Sequence, residues 1–137
     1  PAKRKSLKGI KVLLAEDNDL NAELAAILLE DSEMIVTRAA DGQEVADLFA
    51  NHPAGTYDII LMDIMMPKMD GLQAAKAIRA MQAERPDAEE IPIIALSANA
   101  FAEDVQTSLD AGMNGHVSKP LNVAEVAKVI ARNLNKS

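Results

Sequence analysis

A chain of 137 residues, 49% apolar and 26% charged, is sized and composed for one globular domain around one core. It contains no cysteine, which excludes disulfides and thiolate metal sites, and its few aromatics (Phe49, Tyr57 and Phe101) disfavour stacking on nucleic-acid bases. The net charge of −7 disfavours a phosphate-backbone partner and suits a divalent cation, and no apolar run approaches the roughly 20 residues of a membrane span.

The start, PAKRKSLK, is basic and is not followed by the apolar segment of a signal peptide, so residues 1–8 read as a linker and 9–137 as the domain. IKVLLA (Ile10 to Ala15) predicts a first strand. Asn18 or Asp19 can cap the helix that follows, in which Leu20, Leu24, Ile27 and Leu28 fall at helical spacing. MIVTRA (Met34 to Ala39) predicts the second strand, and Asp41-Gly42 opens a helix carrying Val45, Leu48 and Phe49. YDIILM (Tyr57 to Met62) predicts the third, with a helix over Gly71 to Met81. The polar, proline-bearing stretch Ala83 to Pro92 reads as a surface loop. IPIIALS (Ile91 to Ser97) predicts the fourth strand, and the helix through Val105 and Leu109 stops at Gly112. GHVS (Gly115 to Ser118) is the fifth and weakest strand. The last helix carries Val123, Val126, Ala127, Ile130 and Leu134 as an apolar stripe.

Strand and helix alternate with short connections, which calls for a five-stranded parallel sheet, doubly wound, with five helices covering both faces. Ligands bind such sheets beyond the carboxyl ends of the strands, where strand order reverses. Glu16 and Asp17 follow the first strand, Asp63 the third, Ser97 ends the fourth, and Lys119-Pro120 follows the fifth. Taken singly, each has an ordinary reading as a cap, turn former or solvated residue. Together they set three carboxylates, a hydroxyl and an ammonium on one rim. Clustered carboxylates repel one another, and a hard, oxygen-preferring ion such as Mg²⁺ relieves that.

In combination, ED after the first strand, MDIMMPKMDG, ALSANA and SKP resemble the receiver domains of two-component response regulators. The resemblance covers Gly9 to about Asn135. It implies a flavodoxin-like strand order 2-1-3-4-5, with Asp63 as phosphoacceptor in a His-Asp phosphorelay. It also implies Asp17 and Asp63 as direct Mg²⁺ ligands, Glu16 reaching the ion through water, and the Met65 carbonyl as the remaining protein ligand. Ser97 matches the hydroxyl that moves to hold the phosphoryl group, although Thr is commoner there, and Lys119 matches the lysine that pairs with it. The family's switch aromatic is replaced by His116, which either acts by size or is a plain edge-strand surface residue; His52 reads as solvated.

LLAEDNDLNAELA, LSANAF and DAGMNGHVSKPL are most similar to receivers joined to sensor histidine kinases. The partners so implied are a sensor kinase or a helical histidine-phosphotransfer domain. Leu20, Asn21 and Leu24, with Pro120, would form the docking face, although Leu20 and Leu24 could equally be core. A cytoplasmic monomer is expected, free or tethered in a membrane-bound hybrid kinase. Slow autodephosphorylation is expected too, because Met65 cannot orient a water. A haloacid-dehalogenase-type phosphatase would need an acid where Met65 stands, so a regulatory domain rather than an enzyme is expected. The alternative is a degenerate receiver that acts only as an interaction module, although degenerate receivers typically lose the acceptor, an acid or the lysine, all present here.

Overall fold

The computed structural model describes residues 8–53, 55–64, 70–97, 106–107, 109–118 and 122–134. Five strands form one sheet: β1 (Lys11–Ala15), β2 (Ile35–Ala39), β3 (Ile59–Asp63), β4 (Ile93–Ser97) and β5 (Gly115–Ser118). All neighbours run parallel, in the order β2-β1-β3-β4-β5. The helices are α1 (Asp19–Glu30), α2 (Gly42–Ala50), α3 (Gly71–Arg79), the single turn α4 (Asp87–Glu90), α5 (described at residues 106–107 and 109–110) and α6 (Val123–Leu134). The expected doubly wound order is thus observed, with α4 as an additional turn.

The central strands are apolar throughout because both of their faces are covered. Side chains alternate along a strand, so Leu13, Ala15, Ile60, Met62, Ile93 and Ala95 face one way, against Val45 and Phe49 of α2 and Ala74, Ala75 and Ile78 of α3. Val12, Leu14, Ile59, Leu61, Ile94 and Leu96 face the other, against Ala25 and Leu29 of α1 and Val126, Val129 and Ile130 of α6. Side-chain caps start the helices: Asn18 accepts from the Asn21 amide, Asp41 from Glu44, and Asp70 from Gln73 in a reciprocal capping box.

Three local expectations change. β3 begins at Ile59, not Tyr57, because the Asp58 carboxylate takes the Lys11 amide at 2.8 Å in place of a strand carbonyl. Asp63 is the last strand residue. The stretch 83–92 is not a plain surface loop: it holds α4 and buries Ala88 and Ile91 in the core. Two arginines anchor it. Arg79 donates to the carbonyls of Ala88, Ile91 and Gly112 and to Asn114 Oδ1, and Arg85 caps α2 at Phe49 O, stacks 4.2 Å above the Phe49 ring and forks onto Asp87. Finally, α1 packs through Ala22, Ala25 and Leu29, while Leu20, Leu24 and Ile27 face solvent at 63%, 56% and 58% exposure. Three of the four residues of the expected stripe thus face away from the core, and only Leu28 packs partly against it.

Candidate metal and phosphoacceptor site

The chain crosses from β1 to the edge strand β2 and returns to β3 on the other side of β1, so the strand order reverses between β1 and β3. In register, Ala15 pairs with Met62, which sets Glu16 level with Asp63 at the rim. Carboxylate oxygens of Glu16, Asp17 and Asp63 lie within 4.8 Å of one another. Glu16 and Asp63 are each only 4% exposed, whereas Asp17 is open to solvent. Buried ionised carboxylates need compensation, and an all-oxygen set of three acids fits a hard cation.

Backbone contacts hold the acids from both sides. Glu16 N donates to Ala39 O at 3.0 Å, and Asn18 N donates to Glu16 Oε2 at 3.3 Å. Ile64 N donates to Leu96 O, and Gly71 N donates to Ile64 O at 2.9 Å, folding the start of α3 back onto the end of β3. A Cβ at Gly71 would overlap the Asp63 carbonyl and stand 2.8 Å from Ile64 Cα, so only glycine permits that approach.

Of the other expected site residues, Ser97 ends β4 with its backbone opposite Ser118. Met65, Lys119 and Pro120 lie outside the described residues, as does the Ser97 side chain. His116 is half-buried on β5 opposite Ala95, and its Nε2 is enclosed with no hydrogen-bond partner among the described residues, unlike a solvated edge residue. His52 is not simply solvated either: its Nδ1 meets Leu48 O at 2.7 Å and its ring stands edge-on to Tyr57. Leu20 and Leu24 are exposed rather than core. One contributor had no local signal in the sequence. Arg38, on the edge strand, donates to the carbonyls of Glu16 and Asp17 and pairs with Asp19.

The response regulator receiver domain family matches residues 12–131, and the chain belongs to that family. Among curated relatives, the sensor protein GacS of Pseudomonas syringae is 35% identical over 127 residues, covering 93% of this chain and 14% of that protein. Hybrid signal transduction histidine kinase I of Dictyostelium discoideum is 39% identical over 122 residues, covering 88% and 7%. Histidine kinase 1 of Arabidopsis thaliana is 36% identical over 149 residues, covering 87% and 12%. The chain thus spans well under a fifth of the length of these kinases. A solved receiver domain of a Pseudomonas aeruginosa sensor histidine kinase, with magnesium coordinated in its active-site cleft, superposes at TM-score 0.81 with 35% identity, covering 93% of this chain and 99% of its own. The Saccharomyces cerevisiae receiver domain of Ssk1, co-crystallised with the histidine phosphotransfer protein Ypd1, gives 0.83 with 27% identity, covering 96% and 92%.

Proposed function

We propose that this chain is a Mg²⁺-dependent phosphoacceptor that takes a phosphoryl group from a phosphohistidine onto Asp63 and switches conformation in response. The observation that carries the reading is the convergence of buried Glu16 and Asp63 with exposed Asp17 within 4.8 Å at the strand-order reversal. Asp17 and Asp63 would hold the ion directly, Glu16 through water, and the Met65 carbonyl would complete the protein's share. Bound there, the ion supplies charge neutralisation for the transferring phosphoryl group.

Asp63 acts as nucleophile. Its carboxylate oxygen bonds to phosphorus as the bond from phosphorus to the donor imidazole nitrogen breaks. The electron pair stays on that nitrogen, and a donor ring protonated on its other nitrogen leaves as neutral imidazole. The product is a mixed anhydride, reactive enough to carry a signal rather than mark the chain permanently. Lys119 would pair with the added charge of about −1.5 to −2. Ser97 would hold a phosphoryl oxygen, and His116 would transmit the change along β5.

The donor or acceptor partner, a kinase or a helical phosphotransfer domain, would dock on Leu20, Asn21 and Leu24 of α1, with Pro120 at the rim. The exposure of those leucines supports this face, and the pairing of the yeast receiver with its phosphotransfer protein supports the class of partner. Residues 9–137 would be the receiver unit of a cytoplasmic hybrid kinase, regulatory rather than enzymatic, with residues 1–8 as linker. Among the described residues no helix is long and apolar enough to cross a membrane.

The test is mass spectrometry after incubation with a small phosphodonor, with Mg²⁺ or with chelator. One phosphoryl group should enter the wild type with Mg²⁺ and none should enter Asp63→Asn. Equal incorporation in Asp63→Asn would move the acceptor elsewhere. No incorporation in the wild type would leave an interaction module.

A further inference from the structure

The loop bearing Glu16 and Asp17 is gripped from the edge strand by one side chain. Arg38 Nε and Nη2 donate to Glu16 O at 3.1 and 2.9 Å, Nη2 also reaches Asp17 O at 3.3 Å, and Nη1 meets Asp19 Oδ1 at 2.8 Å. These are the carbonyls of the two residues whose carboxylates converge on Asp63. The residues between β1 and α1 are few, and past the end of β1 the backbone bond from Glu16 N to Ala39 O ties them to the neighbouring strand.

We propose that Arg38 is a positioning residue for the metal site: its planar fork fixes the peptide planes of Glu16 and Asp17 so that their carboxylates meet Asp63 before any cation arrives. This rests on the Mg²⁺ reading above. Guanidinium suits the task because one rigid group can satisfy several acceptors at once, whereas an ammonium presents a point charge. The contact to Asp19, whose side chain is 92% exposed, holds the fork in register with the start of α1. Groups that orient metal ligands from behind typically change affinity 10–100-fold when removed. The positive charge itself opposes Mg²⁺, so a role through charge alone predicts the opposite sign on removal.

Two measurements on the full chain decide the matter: Mg²⁺ affinity by calorimetry with the metal alone, and amide hydrogen exchange of residues 16–18 in metal-free protein. Arg38→Ala should weaken Mg²⁺ binding about 10–100-fold and speed exchange at those amides, with β3 exchange unchanged. Arg38→Lys keeps the charge, loses the fork and should resemble Arg38→Ala. Wild-type affinity and exchange in Arg38→Ala, tighter binding there, or full rescue by Arg38→Lys would each overturn the proposal. Should Arg38→Ala fail to fold, Asp19→Ala removes one anchor from an exposed carboxylate. It should weaken binding in the same direction, and unchanged affinity in it would be equally fatal. If wild type binds no Mg²⁺, the metal reading fails, and unaltered exchange in the variants would then reject the clamp separately.

Discussion

Asp63 is 4% exposed and its carboxylate lies within 4.8 Å of those of Glu16 and Asp17, so the fold holds like charges close together. Asp63→Asn removes one of the charges at almost constant volume. Its metal-free melting temperature should therefore rise above that of wild type, and an equal or lower value would mean that the carboxylate is already compensated. Gly71 is the complementary case, where the constraint is steric. Ala at this position would push a Cβ against the Asp63 carbonyl and within 2.8 Å of Ile64 Cα, both backbone atoms that cannot swing aside. Gly71→Ala should cost about 1–3 kcal/mol in chemical denaturation and should also lower the rate of phosphorylation by a small donor. Loss of stability with an unchanged rate would detach Gly71 from the acceptor's geometry.

At the scale of the element, α1 has two apolar faces and the sheet uses one. Alanines at 22 and 25 let the helix lie close to β1 while Leu29 fills the space further along, and Leu20, Leu24 and Ile27 remain outside. Exposed side chains contribute little to folding, so Leu20→Ser with Leu24→Ser should alter stability by no more than about 1 kcal/mol in total. The same pair should slow phosphotransfer from a histidine-phosphotransfer protein by about tenfold or more, consistent with loss of buried leucines at an interface. Stopped-flow transfer rates beside thermal melts separate the two effects; unchanged rates would put the docking face elsewhere. The segment 83–92 is the other element shaped by long-range contacts. Arg85 lowers the pKa of Asp87 by hydrogen bonding, so the stability from this pair is present above the ordinary carboxylate pKa near 4 and is lost as pH falls through the lower folded value. Both side chains are half-buried, at 18% and 26% exposure, so solvent screens part of this contribution.

The whole molecule carries a net charge of −7, with three of its acids gathered at one rim. A cation bound only by the folded form stabilises it by mass action, by about 2.7 kcal/mol at 100 times its Kd. That corresponds to a melting shift on the order of 10 °C for a domain of this size. Asp17→Asn should abolish most of the shift; an equal shift in both proteins would remove Asp17 from the metal site. On the phosphoacceptor reading, the lifetime of phospho-Asp63 should depend on the side chains that follow it in the chain. Met65 cannot hold a water by hydrogen bonding, so phospho-Asp63 should decay slowly in excess Mg²⁺. Met65→Asn should shorten its lifetime by about tenfold, equivalent to about 1.4 kcal/mol in barrier. No acceleration in that variant would clear Met65 as the cause.

The central strands were legible because a strand buried on both faces must be apolar at every position, as Val12–Ala15 and Ile59–Met62 are. The acids of the site were legible for the same reason: a carboxylate directly after such a run can only stand at the rim. The facing of α1 was not. Leu20, Leu24 and Ile27 repeat at helical spacing as well as Ala22, Ala25 and Leu29 do, and only the sheet, by accepting the face with small residues, selects between them. Arg38, Arg79 and Arg85 were also invisible as structural residues, since a lone arginine on a strand, helix or loop gives no local sign of its acceptors. Arg38 meets carbonyls 21 and 22 positions away, and Arg79 meets Asn114 at a separation of 35. Residue chemistry and periodicity thus determined the doubly wound class and the acids at its rim, while the strand order was implied by the family resemblance. Which helix face is free, and which cations brace the loops, depended on chain crossings that bring distant residues together.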